Sequence, residues 1–349
     1  MMITDFFQHR RVLITGHTGF KGSWMTQLLL NAGAVVCGFS NTVPTEPSLF
    51  DELGLSERLQ ENDVRGDIRD YEVLKAVFDR FQPEFVLHMA AQPIVRESYR
   101  DPRYTYETNV IGTVNLMECV RHCPSVKSVL NVTTDKVYEN PEDDLPRTEE
   151  DRLDGYDPYS NSKSCSELVT KTYCRSFLNE LKIPVSTARA GNVIGGGDYA
   201  ADRLIPDCIR AVKKHETIRV RSPYAVRPFQ HVLEPLYVYL LILKAQYEDA
   251  ALAGAYNVGP DEEDCKNVLF MVDTFCRAWG EGASFEEKSD GGPHEAHFLR
   301  LDNEKIKKTF GWRPVWNAEK AVFQTVAYAK SCDPSACVNG QIKAFFEEI

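Results

Sequence analysis

Gly16-His-Thr-Gly19-Phe-Lys-Gly22 constrains this chain more than any other stretch, because of where it lies. The apolar run Arg11-Val-Leu-Ile-Thr15 precedes it and reads as a short strand. Residues 24–32 follow and read as a helix that Gly33 stops. Glycines between a strand and a helix let the backbone turn tightly and approach a pyrophosphate, whose charge then meets the helix N-terminus. The strand–turn–helix context makes a common glycine spacing into a dinucleotide-binding expectation.

The alternation continues downstream. Val35-Val36-Cys37-Gly38-Phe39 reads as a second strand, and Pro44 and Pro47 mark a loop. Asp70 can cap a helix over 71–81, and Pro83 precedes a strand over 84–89. A long helix is expected from Pro102 to about residue 122, then a strand over 127–133, a helix over 157–181 and a strand over 185–189. This order means a parallel sheet with helices on both faces. Phe85-Val86-Leu87 is apolar without alternation, as doubly covered strands are. After Gly191 the rhythm weakens, broken by Gly195-Gly196-Gly197 and several prolines. The expected fold class is α/β: a Rossmann-type doubly wound parallel sheet in residues 1–190, with a smaller C-terminal substrate-binding domain over 191–349. Residues 232–258 are apolar enough to return to the first domain.

Composition narrows the function. Of 349 residues 43% are hydrophobic, enough for a sizeable core. A net charge of −11 argues against nucleic acid as a partner, because phosphate neutralisation needs Lys and Arg. No apolar run approaches the roughly 20 residues of a membrane span, and residues 1–10 lack the apolar core of an export signal, so the cytoplasm is expected. Ten cysteines are scattered without a C-x-x-C pair, which reads as free thiols and no metal site. The acidic runs over 142–144 and 149–151 read as solvated loop.

Several residues are placed for chemistry. Tyr159 and Lys163, four apart, share one helix face. Lys163 is expected to lower the tyrosine pKa from about 10 by opposing charge; the plain alternative is a surface tyrosine beside a surface lysine. Thr134-Asp135-Lys136 leave the C-terminal end of a strand, the end that faces the ligand crevice in such sheets. Thr134 can bind a hydroxyl, Asp135 can give a proton to a leaving hydroxyl, and Lys136 can act as base or stabiliser. Asp67, followed by Ile68, can accept from an adenine amino group. Phe39-Ser40-Asn41 offers no acid for a ribose 2′-hydroxyl, and Lys21 could meet a 2′-phosphate, so these residues leave NAD and NADP open. Arg203 and Arg227 can clamp phosphates with their forks.

The order of the glycine turn, Asp67, Ala90-Ala91-Gln92, Thr134, Tyr159 and Lys163 resembles the extended short-chain dehydrogenase/reductase family over most of the chain. Thr134-Asp135-Lys136, Tyr156-Asp-Pro-Tyr-Ser-Asn-Ser-Lys163 and Arg227-Pro-Phe-Gln-His-Val232 resemble its 4,6-dehydratase branch that acts on CDP-glucose. The resemblance implies an NAD-dependent hydro-lyase: oxidation at C4 with Tyr159 as base, loss of water across C5 and C6 with Asp135 as acid, and hydride return to C6. The product is a 4-keto-6-deoxy sugar nucleotide for deoxysugar and O-antigen synthesis. Lys136 stands where the family has a glutamate base. The resemblance implies that Gly16, His17, Thr18, Gly19, Phe20, Lys21, Gly22, Asp67, Ile68, Ala90, Ala91, Gln92, Tyr159 and Lys163 hold NAD. It implies that Asn192, Arg203, Arg227 and His294 hold the sugar nucleotide, and that the chain forms a homodimer or homotetramer through the helices at 102–122 and 157–181. A sugar-nucleotide 4-epimerase, a dehydratase of another CDP-sugar and a silent NAD-binding partner protein remain open; Asp135 stands against the first, and Thr134, Tyr159 and Lys163 against the last.

Overall fold

The computed structural model describes residues 3–141, 143–288 and 298–349. Seven parallel strands form one sheet: β1 Arg11–Thr15, β2 Val35–Ser40, β3 Asp63–Arg65, β4 Phe85–His88, β5 Ser128–Val132, β6 Val185–Ala190 and a seventh, Ala255–Val258. Across the sheet the order is seventh, β6, β5, β4, β1, β2, β3. The direction of winding reverses between β1 and β4. Thr15 pairs with His88 there, and the Thr15 hydroxyl accepts from the amides of Met89 and Ala90 at 3.2 Å. A crevice opens at this reversal, beyond the C-terminal ends of the strands.

The apolar strands follow from burial on both faces. Val12, Ile14, Phe85, Leu87, Leu130 and Val132 join one core cluster, with Trp24, Leu236, Tyr239 and Phe345. Their neighbours Leu13, Val86 and Val129 join a second, with Leu74, Phe78, Leu116 and Val120. Successive side chains thus feed opposite layers, as the period of two requires. A third cluster, around Ile205, Met271, Phe275 and Val322, lies apart from the sheet. Helix Leu233–Glu248 packs in the first layer, and strand Ala255–Val258 extends the sheet beyond β6.

Local signals set the helix boundaries. Asp70 accepts from the Val73 amide at 3.2 Å and caps helix Tyr71–Phe81. Gly33, at φ +72°, follows the end of helix Phe20–Asn31. Two helices expected to be continuous are interrupted. Five-residue π segments, Glu107–Ile111 and Cys174–Leu178, follow Pro102–Tyr106 and Pro158–Tyr173. Strand β3, absent from the sequence expectation, is three residues long, too short to show any periodicity.

Candidate active site

The glycine turn sits at the winding reversal. Gly16 has φ +79°, and a Cβ there would lie 2.7 Å from the Ala90 amide nitrogen. A Cβ on Gly22 would lie 2.1 Å from the Gly16 carbonyl oxygen. Neither position tolerates a side chain, whereas a Cβ on Gly19 would meet nothing closer than 3.5 Å. Gly19 begins helix Phe20–Asn31 with no side-chain cap, so the first-turn amides are open to an anion. A dinucleotide fits this cradle: close backbone approach and a donor-rich helix end are what its pyrophosphate needs.

The other sequence-designated cofactor residues are held by contacts within the protein. His17 is fully buried; its Nδ1 meets Ser40 Oγ at 2.9 Å and its Nε2 meets Asp63 Oδ1 at 2.8 Å. Burial holds the imidazole pKa below its ordinary value, with Asp63 opposing. His17 and Asp63 thereby brace Ser40 at the end of β2, where an acid is missing. Thr18 donates to the Thr42 carbonyl at 2.7 Å, tying the turn to the same edge. Asp67 chelates Arg69 at 2.7–3.1 Å, and Ile68 packs beneath Gly112. Gln92 is a support too. Its side chain binds Thr105 at 2.8 Å and the Ile94 amide at 2.6 Å, and its amide donates to Asn109 Oδ1 at 2.8 Å.

Tyr159 and Lys163 are brought to the crevice by helix Pro158–Tyr173. Asp157 caps it by accepting from the Ser160 amide at 3.0 Å, and Pro158 opens its first turn. Both reactive side chains are buried. Burial pushes the Tyr159 phenol up to about 12, with a hydrogen bond to Thr134 pulling the other way. Burial pulls Lys163 down to about 8, with Glu167 opposing. The Lys163 amine donates to the Val132 carbonyl at 3.0 Å. Burial dominates the phenol, and the groups that pull it down are Thr134 and Arg203 rather than the expected Lys163.

Thr134 links this helix to the strand end. Its hydroxyl donates to Asp135 Oδ1 at 2.9 Å, and Lys136 Nζ reaches the same oxygen at 2.9 Å. Lys136 also approaches Asn192 Oδ1 at 3.4 Å. Asp135 is 2% exposed, and its Oδ2 is buried with no hydrogen-bond partner. A buried carboxylate oxygen without a donor is costly unless something that enters the site meets it.

Lys21 lies in the same electrostatic field. Burial brings its amine down to about 7, reinforced by Lys163 and Arg203 and opposed by Asp135 and Asp198. Lys163, Arg203, Asp135 and Asp198 are thus the charges it feels most. On the substrate side the arginines differ. Arg203 pairs with Asp198 at 3.1 Å with its side chain one-third exposed. Arg227 is buried, on a two-residue strand opposite Lys266, and donates to the Val226 carbonyl at 2.9 Å. His294 lies outside the described residues.

A doubly wound sheet, a glycine turn at its reversal and a Thr-Tyr-Lys cluster across the crevice define an extended short-chain dehydrogenase/reductase. The chain belongs to the family described as GDP-mannose 4,6 dehydratase, whose model matches residues 13–325. It is 45% identical over 337 residues to the CDP-glucose 4,6-dehydratase of Salmonella typhimurium, covering 95% of this chain and 93% of that protein. Among solved structures it resembles the dTDP-glucose 4,6-dehydratase of Bacillus anthracis in complex with NAD, with TM-score 0.76 at 24% identity, covering 91% of this chain and 96% of that one. It also resembles the UDP-glucose 4-epimerase of Thermus thermophilus in complex with NAD, with TM-score 0.77 at 24% identity, covering 92% and 99% of the two chains.

Proposed function

We propose that this protein is a CDP-glucose 4,6-dehydratase with NAD as its resident cofactor. The observation that carries the reading is Asp135: a buried carboxylate with one unpartnered oxygen, joined through Thr134 to Tyr159. An epimerase needs no acid for a leaving hydroxyl; a dehydratase does.

When bound, NAD would supply hydride transfer to and from the sugar; Gly16, Gly19 and Gly22 would hold its pyrophosphate, and Lys163 a ribose hydroxyl. Tyr159 takes the proton of the C4 hydroxyl, while Thr134 orients that hydroxyl. Thr134 and Arg203 favour the phenolate that this step needs, against the burial that opposes it. With a ketone at C4, the C5 proton becomes acidic. With the proton of the Lys136–Asp135 pair on Asp135, the neutral Lys136 takes it, Asp135 gives its proton to the departing C6 hydroxyl, and Lys136 returns its proton to C5 when C6 is reduced. Asn192 and Arg203 hold the sugar diphosphate on a floor built from the third core cluster, and Arg227 secures that floor from within.

CDP-glucose and NAD are cytoplasmic metabolites, which places the activity in the cytoplasm. The protein acts as a homodimer or homotetramer. Leu168 on helix Pro158–Tyr173, and Ile111 and Phe177 on the two π segments, stand exposed as apolar surface that a second copy would cover. Mass spectrometry of the purified protein with CDP-glucose and a trace of NAD tests the reading. The product is lighter by one water, and no reduced cofactor accumulates. A product of unchanged mass with C4 inverted would make the protein an epimerase.

A further inference from the structure

Below the reactive tripeptide, the end of β5 and strand β6 converge on one carboxylate of helix Pro158–Tyr173. Glu167 lies one helical turn beyond Lys163 and is 3% exposed. It accepts hydrogen bonds from Thr133 Oγ1 at 2.5 Å, Thr187 Oγ1 at 2.8 Å and Arg189 Nη2 at 2.9 Å. Arg189 Nη1 goes on to the Tyr138 hydroxyl at 2.8 Å and the Glu149 carbonyl at 3.1 Å. The Tyr138 hydroxyl donates to Asn257 Oδ1 at 2.5 Å, on the seventh strand. Thr133 immediately precedes Thr134-Asp135-Lys136, and Tyr138 follows it after Val137. Both flanks of the reactive tripeptide are therefore tied to a single ion pair, and that pair is rooted in the catalytic helix.

Stability alone gives little reason for such a pair. Its desolvation cost rivals its Coulombic gain, and apolar residues of similar volume often serve as well. What a carboxylate with three fixed donors does supply is geometry. We propose that Glu167 is a positioning residue: its pairing with Arg189 fixes Thr134, Asp135 and Lys136 against the helix bearing Tyr159 and Lys163, and its charge keeps the Lys163 amine cationic. The inference rests on the dehydratase reading for its kinetic consequences, but not for its electrostatic one.

The charges around Lys163 come from three elements. Lys21 faces it from the helix after the glycine turn, and His88 from β4; burial pulls His88 down to about 3, so it is neutral at pH 7. Glu167 faces it from its own helix and opposes the burial that pulls Lys163 down to about 8. Loss of the Glu167 charge lets Lys163 fall further, so the amine loses its proton at a lower pH.

Glu167→Gln keeps the shape but strands the Arg189 charge, so Glu167→Gln with Arg189→Met is made beside it to remove both charges. The pH at which Lys163 becomes half-reactive toward acetic anhydride is read by peptide mass spectrometry. It is expected to fall by about one pH unit or more in Glu167→Gln, the scale of one nearby opposite charge, and by less in the double variant, where a positive charge leaves with the negative one. With CDP-glucose, kcat is expected to fall roughly tenfold to a hundredfold, as small misplacements of catalytic groups do, while KM stays within about twofold. Glu167→Asp keeps the charge and shortens the reach; it should restore the labelling midpoint but not kcat. An unchanged labelling midpoint in Glu167→Gln, its fold checked by circular dichroism, overturns the electrostatic half, and wild-type kcat in Glu167→Asp overturns the positioning half. Failure of the wild-type protein to dehydrate CDP-glucose would sink the functional reading instead, leaving the labelling midpoint to decide on Glu167.

Discussion

Glu234 gives a prediction that needs no assumption about substrate. It sits in the first turn of helix Leu233–Glu248 and is 1% exposed. Its Oε1 accepts from the amides of Val315 at 2.9 Å and Trp316 at 2.6 Å, while Oε2 is buried without a partner. Burial pushes its pKa from 4.5 to about 8, despite the two amide donors. In the folded protein the group stays protonated at pH 7, whereas in the unfolded chain it ionises. The unfolded state therefore binds fewer protons, and stability falls as pH rises from about 4.5 to about 8, levelling off above that. Integrated to pH 7, the loss is about 3 kcal/mol, at 1.36 kcal/mol per pH unit. Glu234→Gln keeps an oxygen for both amides and cannot ionise. It is expected to match the wild type at pH 4.5 and to exceed it by about 3 kcal/mol at pH 7. Urea unfolding midpoints measured from pH 4.5 to pH 8.5 read this directly. Parallel stability curves for the two proteins across that range would show that Glu234 is ionised in the fold and that the burial argument is wrong.

Asp135→Asn should still permit oxidation at C4 but slow the loss of water by about 10²–10⁴-fold, the usual worth of a general acid. Single-turnover absorbance should then show reduced nicotinamide accumulating with a 4-keto nucleotide; its absence would place Asp135 in substrate binding or the first step. Gly22→Ala forces a Cβ to 2.1 Å from the Gly16 oxygen, so the cradle must open. NAD affinity should drop roughly tenfold or more, where tenfold is about 1.4 kcal/mol; calorimetric titration checks this, and wild-type affinity would mean the pyrophosphate lies elsewhere. Leu168→Glu puts a charge on the exposed apolar stripe and should shift the protein to monomer in sedimentation; an unaltered assembly would locate the interface on another face.

Local chemistry made much of this protein legible before its structure. The strand at 11–15, the glycine turn, the cap at Asp70 and the stop at Gly33 are written in neighbouring residues, because turns and helix ends are satisfied by atoms a few positions away. The pairing of Tyr159 with Lys163 was visible for the same reason: residues four apart on a helix must share a face. What the tertiary structure decided depends on groups far apart in the chain. The three-residue strand β3 carries too few positions for a pattern, yet it delivers Asp63 to His17 across 46 residues of sequence. Nothing near Lys21 reveals that it feels the charges of Asp135 and Lys163, and nothing near Arg227 reveals that it is buried. Glu167 looks like one more helix-surface acid until Thr133, Thr187 and Arg189 close around it. The pKa values of Tyr159, Lys163 and Glu234 are set first by burial. Burial is a property of everything packed around a group, so the sequence could name the reactive residues, and only the folded layers could set their protons.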